Sequence, residues 1–99
     1  AREGCKWNFE NKALLLNAEY HFCIGDFDKA AERYELAITS SHNHHFVHEE
    51  AIANELAAYF QLERGIKDVS VGLTQRAIEC YQSWGAEKKA AGLAQMIKQ

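Results

Sequence analysis

The sequence predicts an all-α fold of about five helices, arranged as antiparallel hairpins stacked side by side. Three observations carry that expectation. The 99 residues contain no proline, so no residue breaks a helical hydrogen-bond ladder from within. Gly25, Gly65 and Gly85 each close a long stretch of helix-period apolar residues, and glycine supplies the left-handed cap that other residues resist. A shift of 40 positions superimposes Gly25 on Gly65, Asp28 on Asp68, Leu16 on Leu56, Ala18 on Ala58 and Ala37-Ile38 on Ala77-Ile78. Such self-similarity marks a repeated structural unit. The matched alanines are the small residues that crossing helices require.

The first helix is expected from about Asn11 to Ile24. Ala13, Leu14, Leu16, Ala18, Tyr20 and Cys23 give it a wide apolar face, suited to a helix covered on two sides. The second runs from Phe27 to Ser40, with Phe27, Ala30, Tyr34, Ala37 and Ile38 at steps of three and four. Glu32, Arg33 and Glu35 fall on its outer face. The polar run Ser40-Ser41-His42-Asn43 reads as a loop. The third helix spans His45 to Arg64, with Ala51, Ile52, Leu56, Ala58, Tyr59 and Leu62 apolar. Glu49 and Glu50 sit near its start, where the helix dipole favours negative charge. The fourth spans Lys67 to Ser83, with Val69, Leu73, Ala77, Cys80 and Trp84 in step. Gly72 inside it weakens the helix by about 1 kcal/mol relative to Ala and reads as the mark of a close helix contact. The fifth, Ala86 to Lys98, places Ala86, Ala90, Leu93, Ala94 and Ile97 on one face and Lys88, Lys89 and Gln95 on the other, as a cap should. The organisation expected is an extension over residues 1–10 and a repeat domain over 11–98. That domain divides into a hairpin (11–40), a second hairpin (45–83) and a capping helix (86–98).

The composition, 47% hydrophobic and 25% charged, excludes a disordered chain. Fourteen acids against 11 bases give a net charge of −3. The bases are scattered, with Lys88-Lys89 the one adjacent pair, so no basic face for nucleic acid is expected. No apolar run approaches the ~18 residues of a membrane span, and no signal peptide is visible. The chain opens with Ala1 and at once contains Arg2, Glu3 and Lys6, which reads as a piece of a longer protein. Cys5, Cys23 and Cys80 are odd in number and none is spaced C-x-x-C, which suits reduced thiols in the cytoplasm.

The stretch Gly25-Asp26-Phe27-Asp28-Lys29-Ala30-Ala31-Glu32-Arg33-Tyr34-Glu35-Leu36-Ala37-Ile38 resembles the turn and second helix of the tetratricopeptide repeat. Ala30, Tyr34 and Ala37 stand at that family's small, aromatic and small positions, and Ala18 at the small position of its first helix. In the second unit Ala58, Gly65 and Ala77 fit, while Ser70 and Thr74 replace the expected alanine and aromatic. Asn17, His21, Ala57 and Gln61 stand where the family has large residues, the proline after each repeat is missing, and the extra length of the 40-residue period falls at Ser41–His45. The resemblance implies TPR-like stacking and a non-catalytic role in holding another protein segment.

A second resemblance lies in His48-Glu49-Glu50-Ala51-Ile52-Ala53-Asn54-Glu55-Leu56-Ala57-Ala58 and Cys80-Tyr81-Gln82-Ser83-Trp84-Gly85-Ala86-Glu87-Lys88. These look like a divergent helical region of multidomain signalling kinases that also carry an AAA-type ATPase and a GAF domain. That resemblance implies a scaffold in signal transduction, linking neighbouring domains of a parent chain.

Tetratricopeptide groove positions, counted from Gly25 and Gly65, fall on Lys12, Leu15, Glu19 and Phe22, then Ile52, Glu55, Tyr59 and Leu62. The family's chaperone-tail binders clamp a carboxylate there with Lys and Asn. Glu19 and Glu55, together with nearby Glu63, imply instead a protein or peptide segment carrying basic residues. No cofactor and no catalytic residue are expected: there is no glycine-rich phosphate loop and no nucleophile elbow. His21 and Cys23 are two apart on a helix and point away from each other. The alternative function is a metal-responsive sensor built on His42–His48. If the turn is helical, His44 and His48 are one turn apart and could share an ion, with Glu49 or His45 as a third ligand; a solvated interhelix turn is the competing reading. Trp7, Phe9 and Leu15 are expected to lie partly bare at the N-terminal end, which points to self-association or to packing on the parent chain.

Overall fold

The computed structural model describes the backbone of residues 9–98 and the side chains of residues 11–95. The described residues form five helices and no strand: α1 (Phe9–Ile24), α2 (Phe27–Asn43), α3 (Val47–Glu63), α4 (Lys67–Trp84) and α5 (Glu87–Lys98). Each packs on its successor, and α1 also approaches α3, whereas the backbones of α2 and α4 stand apart. The result is a zigzag of antiparallel helices, and its thinnest dimension of 19 Å is close to two helix diameters. No described helix is long and apolar enough to cross a membrane. Trp7 and the side chains of Phe9 and Ile97, on which the expectations for the two ends rest, lie outside the described residues.

The turns follow one plan. Gly25, His45, Gly65 and Gly85 all have positive φ, at 85°, 61°, 82° and 96°, so the same reversal recurs every 20 residues. At each, the next amide reaches back over the helix end: Asp26 N–H to His21 C=O, Phe46 to Ser41, Ile66 to Gln61, and Ala86 to Tyr81, at 2.8–2.9 Å. The positive-φ residue itself donates to the carbonyl three residues earlier. This pair of bonds is the Schellman arrangement, which satisfies carbonyls a helix end otherwise leaves bare. The repeat is therefore one helix and one turn. The 40-residue period is the hairpin, visible in the sequence because three of the four turns use glycine and the other uses histidine.

The expected loop at Ser40–Asn43 is the last turn of α2. Ser41 is fully buried, and its hydroxyl donates to the carbonyls of Ala37 and Ile38 at 2.8 and 3.1 Å. A serine can be held inside a helix in this way, its polar atom returned to the backbone. The added length of the repeat is helix, and the reversal occurs at His44-His45.

The core is rich in alanine, so the helices approach closely. Ala18, Ala30, Ala37, Ala53 and Ala57 surround Leu15, Tyr34 and Phe60, while Ala51, Ala77 and Ala90 pack with Ile78, Tyr81 and Leu93. Ala18, Ala37, Ala58 and Ala77, the repeat-matched alanines, are all buried. Phe60 is the central anchor: the rings of Phe22, Tyr34 and Phe27 lie 5.1, 5.1 and 6.1 Å from it. Ser70 and Thr74 take the buried places that Ala30 and Tyr34 take one hairpin earlier. Ser70 donates its hydroxyl to the Ala58 carbonyl at 2.9 Å, and Thr74 donates to Ser70 at 2.8 Å.

Three expectations need correction. Ala13, Leu16, Tyr20 and Cys23 are exposed, and α1 buries Asn11 and Leu15 beside the expected Ala18. Leu15, expected to be bare, is core. Gly72 marks no close contact, since a Cβ built there would meet nothing within 4 Å.

Candidate functional site

The residues expected to line one groove are divided among three settings. Leu15 is core, and Phe22 lies in the aromatic cluster around Phe60. Ile52 is half-buried, and Lys12, Tyr59 and Leu62 are exposed. Glu19 accepts a hydrogen bond from the Tyr34 hydroxyl on α2. Glu55 is buried and forms a polar hub: Tyr59 donates to it at 2.6 Å, Tyr81 of α4 at 2.7 Å, and the Lys89 ammonium of α5 stands 3.1 Å away.

Burial by itself raises the Glu55 carboxyl, but the hydrogen bonds from Tyr59, Tyr81 and Lys89 outweigh it and hold the group below its ordinary value. Burial and the same carboxylate push Tyr59 up to about 12 and Tyr81 higher still. Hence Glu55 is an anion with its cation already supplied from within the chain. The basic side chain expected from a partner is Lys89, which is not a purely solvated residue of the cap: its ammonium also lies 5.9 Å from the Tyr81 ring.

The most exposed of the large apolar side chains on the described residues are on α1. Leu16, Tyr20 and Ile24 are spaced i, i+4 and i+8, which puts them on one face, and they are 62%, 59% and 57% exposed. The repeat relates them to Leu56 and Phe60 on α3 and to Arg64 at its C-cap. There Phe60 has no exposure at all, because α2 lies over it with Tyr34 and Phe27, and Leu56 packs against the same core. Within their own helix Leu16 and Tyr20 carry no sequence signal that separates them from core residues. Their exposure follows from α1 having no described helix on the side where α3 has α2. The pairing of Tyr20 with Phe60 in the 40-residue shift is the signal that could have marked the face.

The histidines diverge. His44 ends α2, with its ring nitrogen 2.8 Å from the Ser40 carbonyl and the ring stacked on Phe46. His48 is on α3 with its ring 5.3 Å from that of Trp84. The two flank a turn with positive φ at His45, so they do not share a helix face. His42 lies 3.1 Å from Glu50. Glu49 is buried and accepts from Asn11 at 2.9 Å. Among the described residues no three His, Cys, Asp or Glu side chains could hold a metal ion together, so nothing in the geometry favours the metal-sensor alternative.

Comparison with family models, with curated proteins and with solved structures finds no match to this chain.

Proposed function

We propose that the chain is a non-catalytic helical-repeat module that docks and positions another helical protein segment, as an interaction or spacer element of a larger cytoplasmic signalling protein. One observation carries this reading. The α1 face of Leu16, Tyr20 and Ile24 is the repeat equivalent of the α3 face that α2 covers, and it stands open. Large contiguous apolar patches on a folded surface mark interaction sites. A helix seated there would extend the stack by the same packing that joins α2 to α3. The tetratricopeptide and signalling-kinase resemblances supply the context, since such repeats hold segments of other proteins or neighbouring domains.

A peptide of residues 26–44, the α2 sequence, tests the docking. It should bind weakly and shift the amide resonances of Leu16, Tyr20 and Ile24. Tyr20→Glu should abolish those shifts without lowering the melting temperature. Shifts confined to the α2–α3 contact, or none up to millimolar peptide, would remove this face from consideration.

A further inference from the structure

Because the backbones of α2 and α4 stand apart, a cleft runs between them with α3 as its floor. It has two lobes, of about 420 Å³ and 250 Å³, joined along Ile38, Thr39 and Arg76. The cleft is on a different face from Leu16, Tyr20 and Ile24, none of which lines it.

Its chemistry is lopsided. The walls offer apolar contact from Ile38, Leu73 and Val69. Around them stand three carboxylates, Glu35, Glu50 and Glu79, against the single guanidinium of Arg76. Glu50 is engaged by His42 at 3.1 Å and by the Cys80 thiol. Burial first, then the charge of Glu50, push that thiol up to about 11, so it stays protonated and donates. Glu35 and Glu79, both exposed, make no ion pair among the described residues. At the floor, Gln61 lines the smaller lobe, and its side-chain oxygen is buried without a hydrogen-bond donor. Carboxylates thus outnumber guanidinium groups along the cleft, and its field favours a cation.

We propose that the α2–α4 cleft is a second docking site, which takes a protein segment carrying arginine or lysine next to an aliphatic residue. The cation lies where the two lobes join, between Glu35 of the smaller and Glu79 of the larger, and the aliphatic neighbour rests on Ile38 and Leu73. Arg76 opposes the cation and sets selectivity by charge. The proposal names a partner chemistry for the docking role, but its residues are separate from the α1 face, so either site can fail alone.

The probe is an acetylated, amidated heptapeptide of alternating leucine and arginine, compared with the same peptide carrying glutamate for arginine, each titrated into the isotope-labelled chain. The arginine peptide should shift the amides of Ile38, Thr39, Gln61 and Arg76, and the glutamate peptide should not. Glu35→Gln with Glu79→Gln should weaken binding about tenfold, the combined worth of two exposed ion pairs. Arg76→Gln should strengthen it, and Glu32→Gln, an exposed charge on α2 that lines neither lobe, should leave it unchanged. All four positions are solvent-accessible, and thermal melts confirm that the fold is kept. Equal binding of the glutamate peptide, weaker binding in Arg76→Gln, an equal loss in Glu32→Gln, or shifts on the α1 face alone would each overturn the proposal. So would a cleft whose resonances move only with protein concentration, which would make its occupant a second copy of the chain.

Discussion

Tyr20 and Phe60 hold the same place in successive hairpins, 40 residues apart, yet Tyr20 is 59% exposed and Phe60 is fully buried. The difference lies in the neighbour rather than in the residue: α2 covers Phe60, and no described helix covers Tyr20. Phe60→Ala should therefore cost about 3–5 kcal/mol by emptying the centre of the aromatic cluster. Tyr20→Ala should stay within about 0.5 kcal/mol of the parent, as a surface change does. Chemical denaturation of the two variants measures both. Equal losses would mean that the α1 face is covered within the chain.

The four turns predict a gain of stability at one of them. His45 adopts φ of 61° where its three counterparts are glycine, and a side chain in the left-handed region costs roughly 1–2 kcal/mol. His45→Gly should raise stability by about 1 kcal/mol, less than the full strain because glycine also loses more backbone entropy on folding. Gly65→Ala should lower it by a similar amount. A His45→Gly variant that melts below the parent would contradict the common turn geometry.

Gly72 offers a second gain. It lies within α4 with open space where a Cβ would point, so Gly72→Ala recovers helix propensity with no clash. The expected rise is up to about 1 kcal/mol. A drop in melting temperature would show that something packs against this position.

The repeat-matched alanines predict a loss of stability. Ala37 and Ala77 are 1% and 0% exposed, and leucine at either site must displace its neighbours. Each substitution should cost roughly 1–3 kcal/mol. Unchanged melting in both variants would place these residues away from the helix crossings.

Glu55 predicts the acid response. Its folded-state carboxyl is held below the ordinary 4.5, so its contribution is present above that value and is lost as pH falls through the lower folded value. Glu55→Gln should cost about 2 kcal/mol at pH 7, the order of magnitude for hydrogen bonds to a charged group, and less at pH 3. Denaturant titrations at the two pH values test the sign: a penalty that grows on acidification would mean that the carboxyl is protonated in the native state. Lys89→Met should reproduce part of the loss, because the ammonium docks α5 on α3 through this carboxylate.

Much of the fold was legible in the chain. Glycine at 25, 65 and 85, the absence of proline and the 40-residue shift determined five helices and three of the four reversals, because backbone conformation at a helix end depends on local residue type. The fourth reversal was hidden by His45, and the loop expected at Ser40–Asn43 was hidden by Ser41, whose hydroxyl is satisfied by its own helix. Which apolar residues of α1 face inward was not legible. Leu14, Leu15 and Leu16 are consecutive, and one residue turns a helix by about 100°, so the choice rests on where α2 and α3 lie. The expected groove dissolved for the same reason: Glu55 looks like an open acidic position until the fold brings Tyr81 and Lys89 to it from 26 and 34 residues away. Sequence alone determined the helices, the repeat and the alanine crossings, which are local or periodic properties. Tertiary packing alone decided which carboxylates are already paired, which face of α1 stays uncovered and that α2 and α4 stand apart, because each depends on contacts between residues far apart in the chain.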